Sequence, residues 1–186
     1  KTAKNDGANY IPQLAERGVR AFVLEKSSLD NLDHPDDLDN LVLLVVENAL
    51  LALQQLAAFK RSLYQGPVIG ITGSNGKTVV KEWLYQLLKD DYRITRSPKS
   101  YNSQIGVPLS VWQLNEQTEL AIFEAGISEM GEMARLQPMI LPTIGVVTYI
   151  GHEHGENFPS LEAKRQEKML LFKECDTIIE DTTHQN

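Results

Sequence analysis

Apolar residues fall along this chain in two rhythms. Short, mostly apolar runs lie at Arg20–Glu25, Leu41–Val46, Pro67–Thr72, Tyr92–Thr95, Leu120–Glu124, Thr143–Ile150 and Thr177–Glu180, and each predicts a strand, those from Pro67 onward with both faces buried. Between them, apolar positions three and four apart predict helices. In Asn48–Tyr64, for example, Leu50, Leu53, Leu56 and Ala57 share one face. Further helices are expected over Tyr10–Arg17, Lys77–Lys89, Val107–Leu114, Gly131–Gln137 and Leu161–Lys173. Gly18 closes the helix at Tyr10–Arg17. Residues 28–40, SLDNLDHPDDLDN, read as an acidic, solvated loop. From Gly66 onward strand and helix alternate strictly, which predicts an α/β fold: a parallel sheet with flanking helices. Residues 1–65 read as part of a smaller α/β domain, and both it and the sheet are expected to be incomplete.

Composition narrows this picture without changing it. The chain has 186 residues, 42% hydrophobic and 23% charged, an ordinary globular mixture. A net charge of −7 argues against a sequence-independent nucleic-acid partner. The most apolar stretch, Leu41–Phe59, is broken by Glu47, Asn48, Gln54 and Gln55, so no membrane insertion is expected. The N-terminal KTAKNDGANY has no apolar core of a signal peptide. One cysteine, Cys175, cannot form an internal disulfide and fits a reducing compartment, so a cytoplasmic location is expected.

The chemistry begins at the run Val68–Thr78, VIGITGSNGKT. An apolar strand enters a loop bracketed by Gly73 and Gly76, and a helix starts at Lys77-Thr78. Glycines let the backbone curl so that successive N–H groups face phosphate oxygens, and the helix N-terminus adds its positive end. Thr72, Gly73, Ser74, Asn75, Gly76, Lys77 and Thr78 are therefore candidate nucleotide-binding residues. Lys77 would meet the outer phosphates, and the Thr78 hydroxyl would ligate the magnesium that accompanies them. A strict G-x-x-x-x-G-K-[ST] loop needs glycine at position 71, where this chain has Ile71. The bland alternative is a Gly-Asn turn followed by a solvated lysine.

Ligands of a parallel sheet gather at the carboxyl ends of its strands. Glu124 ends the run LAIFE, and His154 lies just past IGVVTYIG, within GHEHGE. With Thr78 they make a candidate magnesium and phosphate site. Taken singly, Glu124 could cap a helix and His154 could be a turn histidine with His152 competing. A zinc site at GHEHGE would have two histidines and no cysteine. Lys168 is by default a solvated cation.

Four segments in order resemble the Mur ligase superfamily: TGSNGKT, YNSQIGVPLSVW, FEAGISEMGEMARL and PTIGVVTYIGHEHGENFPSLEAKRQEK. They are most similar to the branch that adds D-alanyl-D-alanine to UDP-N-acetylmuramoyl-tripeptide. RSPKSYNSQIGVPLSVW is similar to the form fused to an alanine racemase. The resemblance implies an ATP-dependent amide-bond ligase of peptidoglycan synthesis that works through an acyl phosphate, with ATP and Mg2+. It implies catalytic roles for Lys77, His154 and Lys168, and metal ligation by Thr78, Glu124, His154 and Lys168. Lys168 falls where the family often carries an N-carboxylated lysine, with Lys164 one turn earlier as the competing position and otherwise a solvated lysine. Asn102 falls in the branch's substrate-orienting segment, although this chain reads Tyr101-Asn102-Ser103 in place of adjacent asparagines.

The resemblance also implies that residues 1–65 are the C-terminal half of the domain that binds the UDP substrate. Residues 66–186 would be an incomplete ATP-binding domain, and a C-terminal domain in cis would be missing. The alternatives are another Mur-type ligase, a folylpolyglutamate ligase, or a non-ligase nucleotide-binding module. The last usually carries a strand-end aspartate after an apolar run, and none is found in this sequence.

Overall fold

The computed structural model describes residues 6–29, 40–151 and 155–181. The chain divides into two compact units, one ending at Ala52 and one starting at Leu53. In the first, a 3-10 turn at Gly7–Tyr10 leads into helix α1 (Ile11–Glu16). Asp6 caps the turn, its Oδ1 accepting the Ala8 N–H at 3.1 Å. Strand β1 (Ala21–Glu25) pairs in parallel with β2 (Val42–Val46), Ala21 opposite Val42. Between them Lys26–Leu29 forms a short helix, α2, where the expected loop began. Ser28 donates to Asp6 Oδ2 at 2.8 Å, which holds this turn in place of the solvated start that its polarity suggested. The rest of that acidic segment, 30–39, lies outside the described residues. Ala8, Ile11 and Leu24 form the small core of this unit.

Helix α3 (Ala49–Ser62) follows; Glu25 and Asn48 side chains accept its first-turn N–H groups at Ala49 and Leu51. The second unit then alternates as expected. Its elements are β3 (Val68–Thr72), α4 (Lys77–Leu88), β4 (Ile94–Arg96), α5 (Gly106–Val111), β5 (Leu120–Ala125), α6 (Glu132–Ile140), β6 (Ile144–Val147), α7 (Leu161–Met169) and β7 (Thr177–Glu180).

All five strands are parallel, in the order β4-β5-β3-β6-β7. The chain thus winds from β3 to one side and then, from β6, to the other. The switch lies beside β3, where open α/β sheets bind their ligands. Every residue of β3 and β5 is buried, which is why both read as continuous apolar runs. Residues from α3, α5, α6 and the turn after α7 cover one face, with Ala57, Val111, Phe123, Met133, Leu136 and Leu171 at its centre. Val80, Leu84 and Leu88 of α4 cover Ile69, Ile71 and Ile122 on the other.

Two helices end earlier than their periodicity predicts. After Val111 and after Met169 the hydrogen bonds tighten to i→i−3, as in Gln113 N–H to Ser110 O, and the chain leaves the α-helix. Helix α6 instead runs through Pro138 to Ile140, and Leu141 closes it in a left-handed conformation at φ 40°. Its exposed carbonyls are met by a side chain from α3. Arg61, buried, donates through Nε to Ile140 O and through Nη2 to Leu141 O, both at 2.7 Å, while Nη1 donates to Tyr64 O. A guanidinium fork suits this task because its donors are rigid and coplanar. Burial draws its pKa below the ordinary arginine value, with Tyr64 opposing.

Cys175 donates to Pro142 O at 3.1 Å, and burial, then the charge of Asp176, pushes its thiol up to about 11. A thiol so rarely ionised near neutrality is a poor nucleophile, so cysteine chemistry is not what this fold presents. Among the described residues no helix is long and apolar enough to cross a membrane.

Replacing Arg61 with methionine keeps most of the volume but leaves three carbonyls without their donor. A loss of about 3 kcal/mol in unfolding free energy is expected, read by urea titration. A change under about 1 kcal/mol would show that water replaces the guanidinium at no cost.

Candidate nucleotide and metal site

The register of β3 against β5 sets the site. Ile71 lies opposite Glu124 and Thr72 opposite Ala125, so the loop leaving β3 passes the strand-end carboxylate. The loop turns at Gly73 (φ 148°) and Gly76 (φ 87°), then enters α4. A Cβ on Gly73 would stand 1.9 Å from Thr148 Oγ1, so this glycine is required by space as well as by backbone angle.

The loop is stitched to the end of β6. Ser74 N–H donates to Tyr149 O at 2.7 Å and Asn75 N–H to the same oxygen at 3.4 Å. Thr148 Oγ1 lies 2.7 Å from Asn75 O and 3.2 Å from Thr72 O, and Ser74 Oγ exchanges hydrogen bonds with Gly151. Two of the N–H groups expected to face phosphate are thus turned to the protein. The first-turn N–H groups of α4, from Lys77 to Val79, have no acceptor within the helix, and Gly76 supplies no side-chain cap. That helix start is the part of the loop whose geometry could receive an anion. Thr72 is fully buried and its hydroxyl donates to Ala125 O at 2.9 Å, joining the two strand ends.

Lys77 Nζ donates to Gly73 O and Ser74 O at 2.9 and 2.8 Å. Thr78 Oγ1 donates to Glu124 Oε2 at 3.0 Å and lies 3.1 Å from Ser100 Oγ. Asn102 Nδ2 reaches the same carboxylate oxygen at 3.5 Å. Glu124 is fully buried, and its backbone N–H donates to Ser97 Oγ at 3.2 Å. The loop hydroxyl, the strand-end carboxylate and Asn102 therefore meet. His154, expected beside them, and His152 lie outside the described residues.

Glu124 also meets a residue that the motif reading passed over. Lys81, fully buried on α4, places Nζ 2.8 Å from Glu124 Oε1 and 3.2 Å from Glu82 Oε1, and donates to Lys99 O. Oε1 makes no hydrogen bond of good geometry, so its attraction to Lys81 is coulombic. Arg96 pairs with Glu82 at 2.9 Å and stacks over Tyr85. Burial alone would raise the Glu82 carboxyl, but hydrogen bonds and charge from Arg96 and Lys81 outweigh it and hold it below its ordinary value. The signal for Lys81 was present in the sequence. It stands three residues after Thr78, hence on the same helix face.

Lys164 and Lys168 differ from their reading as solvated cations. Each is only 2% exposed. Lys168 Nζ donates to Gly73 O of the loop at 3.1 Å, and Lys164 Nζ donates to Gly151 O at 2.6 Å and faces the Phe158 ring. Glu167 between them accepts the N–H groups of Gly131 and Met133 at the start of α6. One face of helix α7 is therefore charged in sequence yet buried, because backbone groups of the loop, of the β6 exit and of the α6 start supply partners for Lys164, Glu167 and Lys168.

Oxygen donors dominate where Thr78 meets Glu124, and among the described residues no three His, Cys, Asp or Glu side chains converge. One buried carboxylate plus one hydroxyl suits magnesium, which keeps several waters and shares phosphate oxygens. It does not suit a four-ligand zinc centre.

Residues 71–181 match the Mur ligase middle domain. The chain is 36% identical over 172 residues to the UDP-N-acetylmuramoyl-tripeptide–D-alanyl-D-alanine ligase of Borreliella burgdorferi, covering 92% of this chain and 37% of that protein. It is 34% identical to the Bacillus subtilis ligase of the same name, covering 92% of this chain and 36% of that one. Among solved structures it superposes on the MurF ligase of Thermotoga maritima in complex with ADP, with a TM-score of 0.83 and 28% identity, over all of this chain and 42% of that one. It thus spans less than half the length of these relatives.

Because Lys164 is buried against Gly151 O, Lys164→Ala is expected to lower stability by about 1–3 kcal/mol in chemical denaturation. An unfolding midpoint equal to that of the parent chain would return Lys164 to the surface.

Proposed function

The chain belongs to the Mur ligase middle-domain family, and on that premise we propose that it is the nucleotide-handling part of the ligase that joins D-alanyl-D-alanine to UDP-N-acetylmuramoyl-tripeptide. In this reading residues 1–65 belong to the domain that binds the UDP moiety and residues 66–186 to the ATP-binding domain. The remaining domain would act in cis, and the enzyme would work in the cytoplasm. The observation that carries the reading is the 3.0 Å contact between the Thr78 hydroxyl and the buried Glu124 carboxylate, at the mouth of a glycine loop.

The reaction has one main physical obstacle. The tripeptide's terminal carboxylate must approach the γ-phosphate of ATP, and both are anions. Lys77 lies on the loop carbonyls at the start of α4, from which its ammonium reaches outer phosphate oxygens. The α4 N–H groups hold the inner phosphates and align the triphosphate for in-line transfer. Thr78 and Glu124 would hold magnesium, which when bound screens the repulsion between the two anions. Asn102, within reach of Glu124, orients the substrate end of the site. The carboxylate takes the phosphoryl group, ADP departs, and the amine of the dipeptide displaces phosphate from the acyl phosphate. His154 serves the second cation in this scheme.

Lys168 is the family's candidate for a carbamate. Its Nζ already lies on Gly73 O, whereas that of Lys164 lies on Gly151 O. Lys168→Ala should remove turnover, and a millimolar short-chain carboxylate should restore part of it by filling the vacated ligand position. Turnover in Lys168→Ala equal to wild type would remove the carbamate from the mechanism.

The reading is tested on the complete gene product with MgATP, UDP-N-acetylmuramoyl-tripeptide and D-alanyl-D-alanine, following ADP and the pentapeptide product by mass spectrometry. Product whose formation requires all three supports it. ADP release that ignores the carboxylate substrate would favour a switch or transport ATPase, and product with a single amino acid would favour another ligase branch. Lys77→Ala should lose more than about 2 kcal/mol of transition-state stabilisation while keeping its unfolding midpoint.

A further inference from the structure

Lys81 is a fully buried ammonium held by three oxygens: it forms ion pairs with Glu124 Oε1 and Glu82 Oε1 and donates to Lys99 O. A charge removed from water persists only when such partners surround it. An ion pair that merely packed α4 against β5 would need one of these contacts. The arrangement around Lys81 is more specific than that. The two oxygens of Glu124 have different neighbours: Oε1 meets Lys81, and Oε2 meets Thr78 and Asn102. Clamping the first oxygen fixes the direction of the second, toward the loop hydroxyl.

The same ammonium grips the segment after β4. Lys99, whose carbonyl it binds, has a left-handed backbone at φ 48°, an uncommon conformation for a residue with a side chain. The next residue, Ser100, is brought by that kink to 3.1 Å from Thr78 Oγ1, and Asn102 follows two residues on. Ser97, just before the kink, accepts the Glu124 N–H. One side chain thus ties together the helix that starts at the phosphate loop, the strand that carries the carboxylate, and the segment that carries Ser100 and Asn102.

We infer that Lys81 is a positioning residue for the metal site: it orients Glu124 Oε2 toward the Thr78 hydroxyl and holds the 97–102 segment around it. It touches neither nucleotide nor reacting atoms, and it acts through Glu124. This rests on the reading of Thr78 and Glu124 as magnesium ligands.

The test compares wild type with Lys81→Met, Glu124→Gln and the double variant in the complete gene product. The first readout is the affinity for a fluorescent ADP analogue, with and without magnesium. Lys81→Met is expected to keep metal-free affinity within about twofold and to lose roughly tenfold or more of the magnesium-dependent gain, as when a group behind a metal ligand is removed. The double variant should lose no more of that gain than Glu124→Gln alone, because both act through one carboxylate. A full gain in folded Lys81→Met, or losses that simply add in the double variant, would overturn the inference.

The second readout is thermal unfolding. Lys81→Met strands a buried carboxylate, so the double variant should melt above it. A double variant that melts at or below Lys81→Met, or fails to fold with it, also overturns the inference. Wild type that gains nothing from magnesium would defeat the metal reading of Thr78 and Glu124. The melting series then decides by itself whether Lys81 is built to hold Glu124.

Discussion

A carboxylate buried at the end of a central parallel strand is the constraint around which this molecule is organised. Taking the Glu124 charge out of water costs several kcal/mol unless a cation and polar hydrogens meet it. Lys81 supplies the cation at 2.8 Å, and Thr78 and Asn102 supply polar hydrogens to the other carboxylate oxygen. Those partners come from α4 and from the segment that leaves β4. The carboxylate therefore ties the position of α4 to β5 and to the segment that leaves β4. That the pair persists at all requires a use for it, since a well-packed apolar pair would be about as stable.

The phosphate loop is held from the opposite side by backbone chemistry. Thr148 and the carbonyl of Tyr149 bind Thr72, Ser74 and Asn75, and Gly151 binds Ser74. Lys164 and Lys168 reach across from α7 to Gly151 O and Gly73 O. The loop is thus pre-formed between two walls, the β5 side carrying oxygen ligands and the β6–α7 side carrying ammonium groups. A loop braced in this way need not be ordered by its ligand, which saves entropy on binding. The same bracing explains why so few loop N–H groups face outward. In the proposed reading the helix start, whose first N–H groups have no acceptor within the helix, would take over most of the anion recognition.

The division of labour fits a reaction between two anions. In the proposed reading, positive charge would come from Lys77, from the helix start and from a cation held by Thr78 and Glu124, all where β3 meets both of its neighbours. The fold supplies that edge, but the chemistry comes from the few side chains on it.

Much of this was legible in the chain. Unbroken apolar runs alternating with helical spacing fixed a parallel sheet, because a strand buried on both faces has no polar side to show. The glycine-bracketed loop before Lys77-Thr78 pointed to a candidate nucleotide site, since a strand, a glycine turn, Gly-Lys-Thr and a helix in that order suit a phosphate loop. Strand-end position singled out Glu124. Only the tertiary structure decided the rest. Lys164 and Lys168 read by default as solvated cations and Lys81 was passed over, because a lysine's burial depends on carbonyls and carboxylates that lie far away along the chain. The turn of the Ser74 and Asn75 amides toward Tyr149, and the capping of α6 by Arg61, likewise depend on register and packing across elements. Local sequence sets periodicity and backbone angles. Which charge is buried, and against what, is settled where distant segments meet.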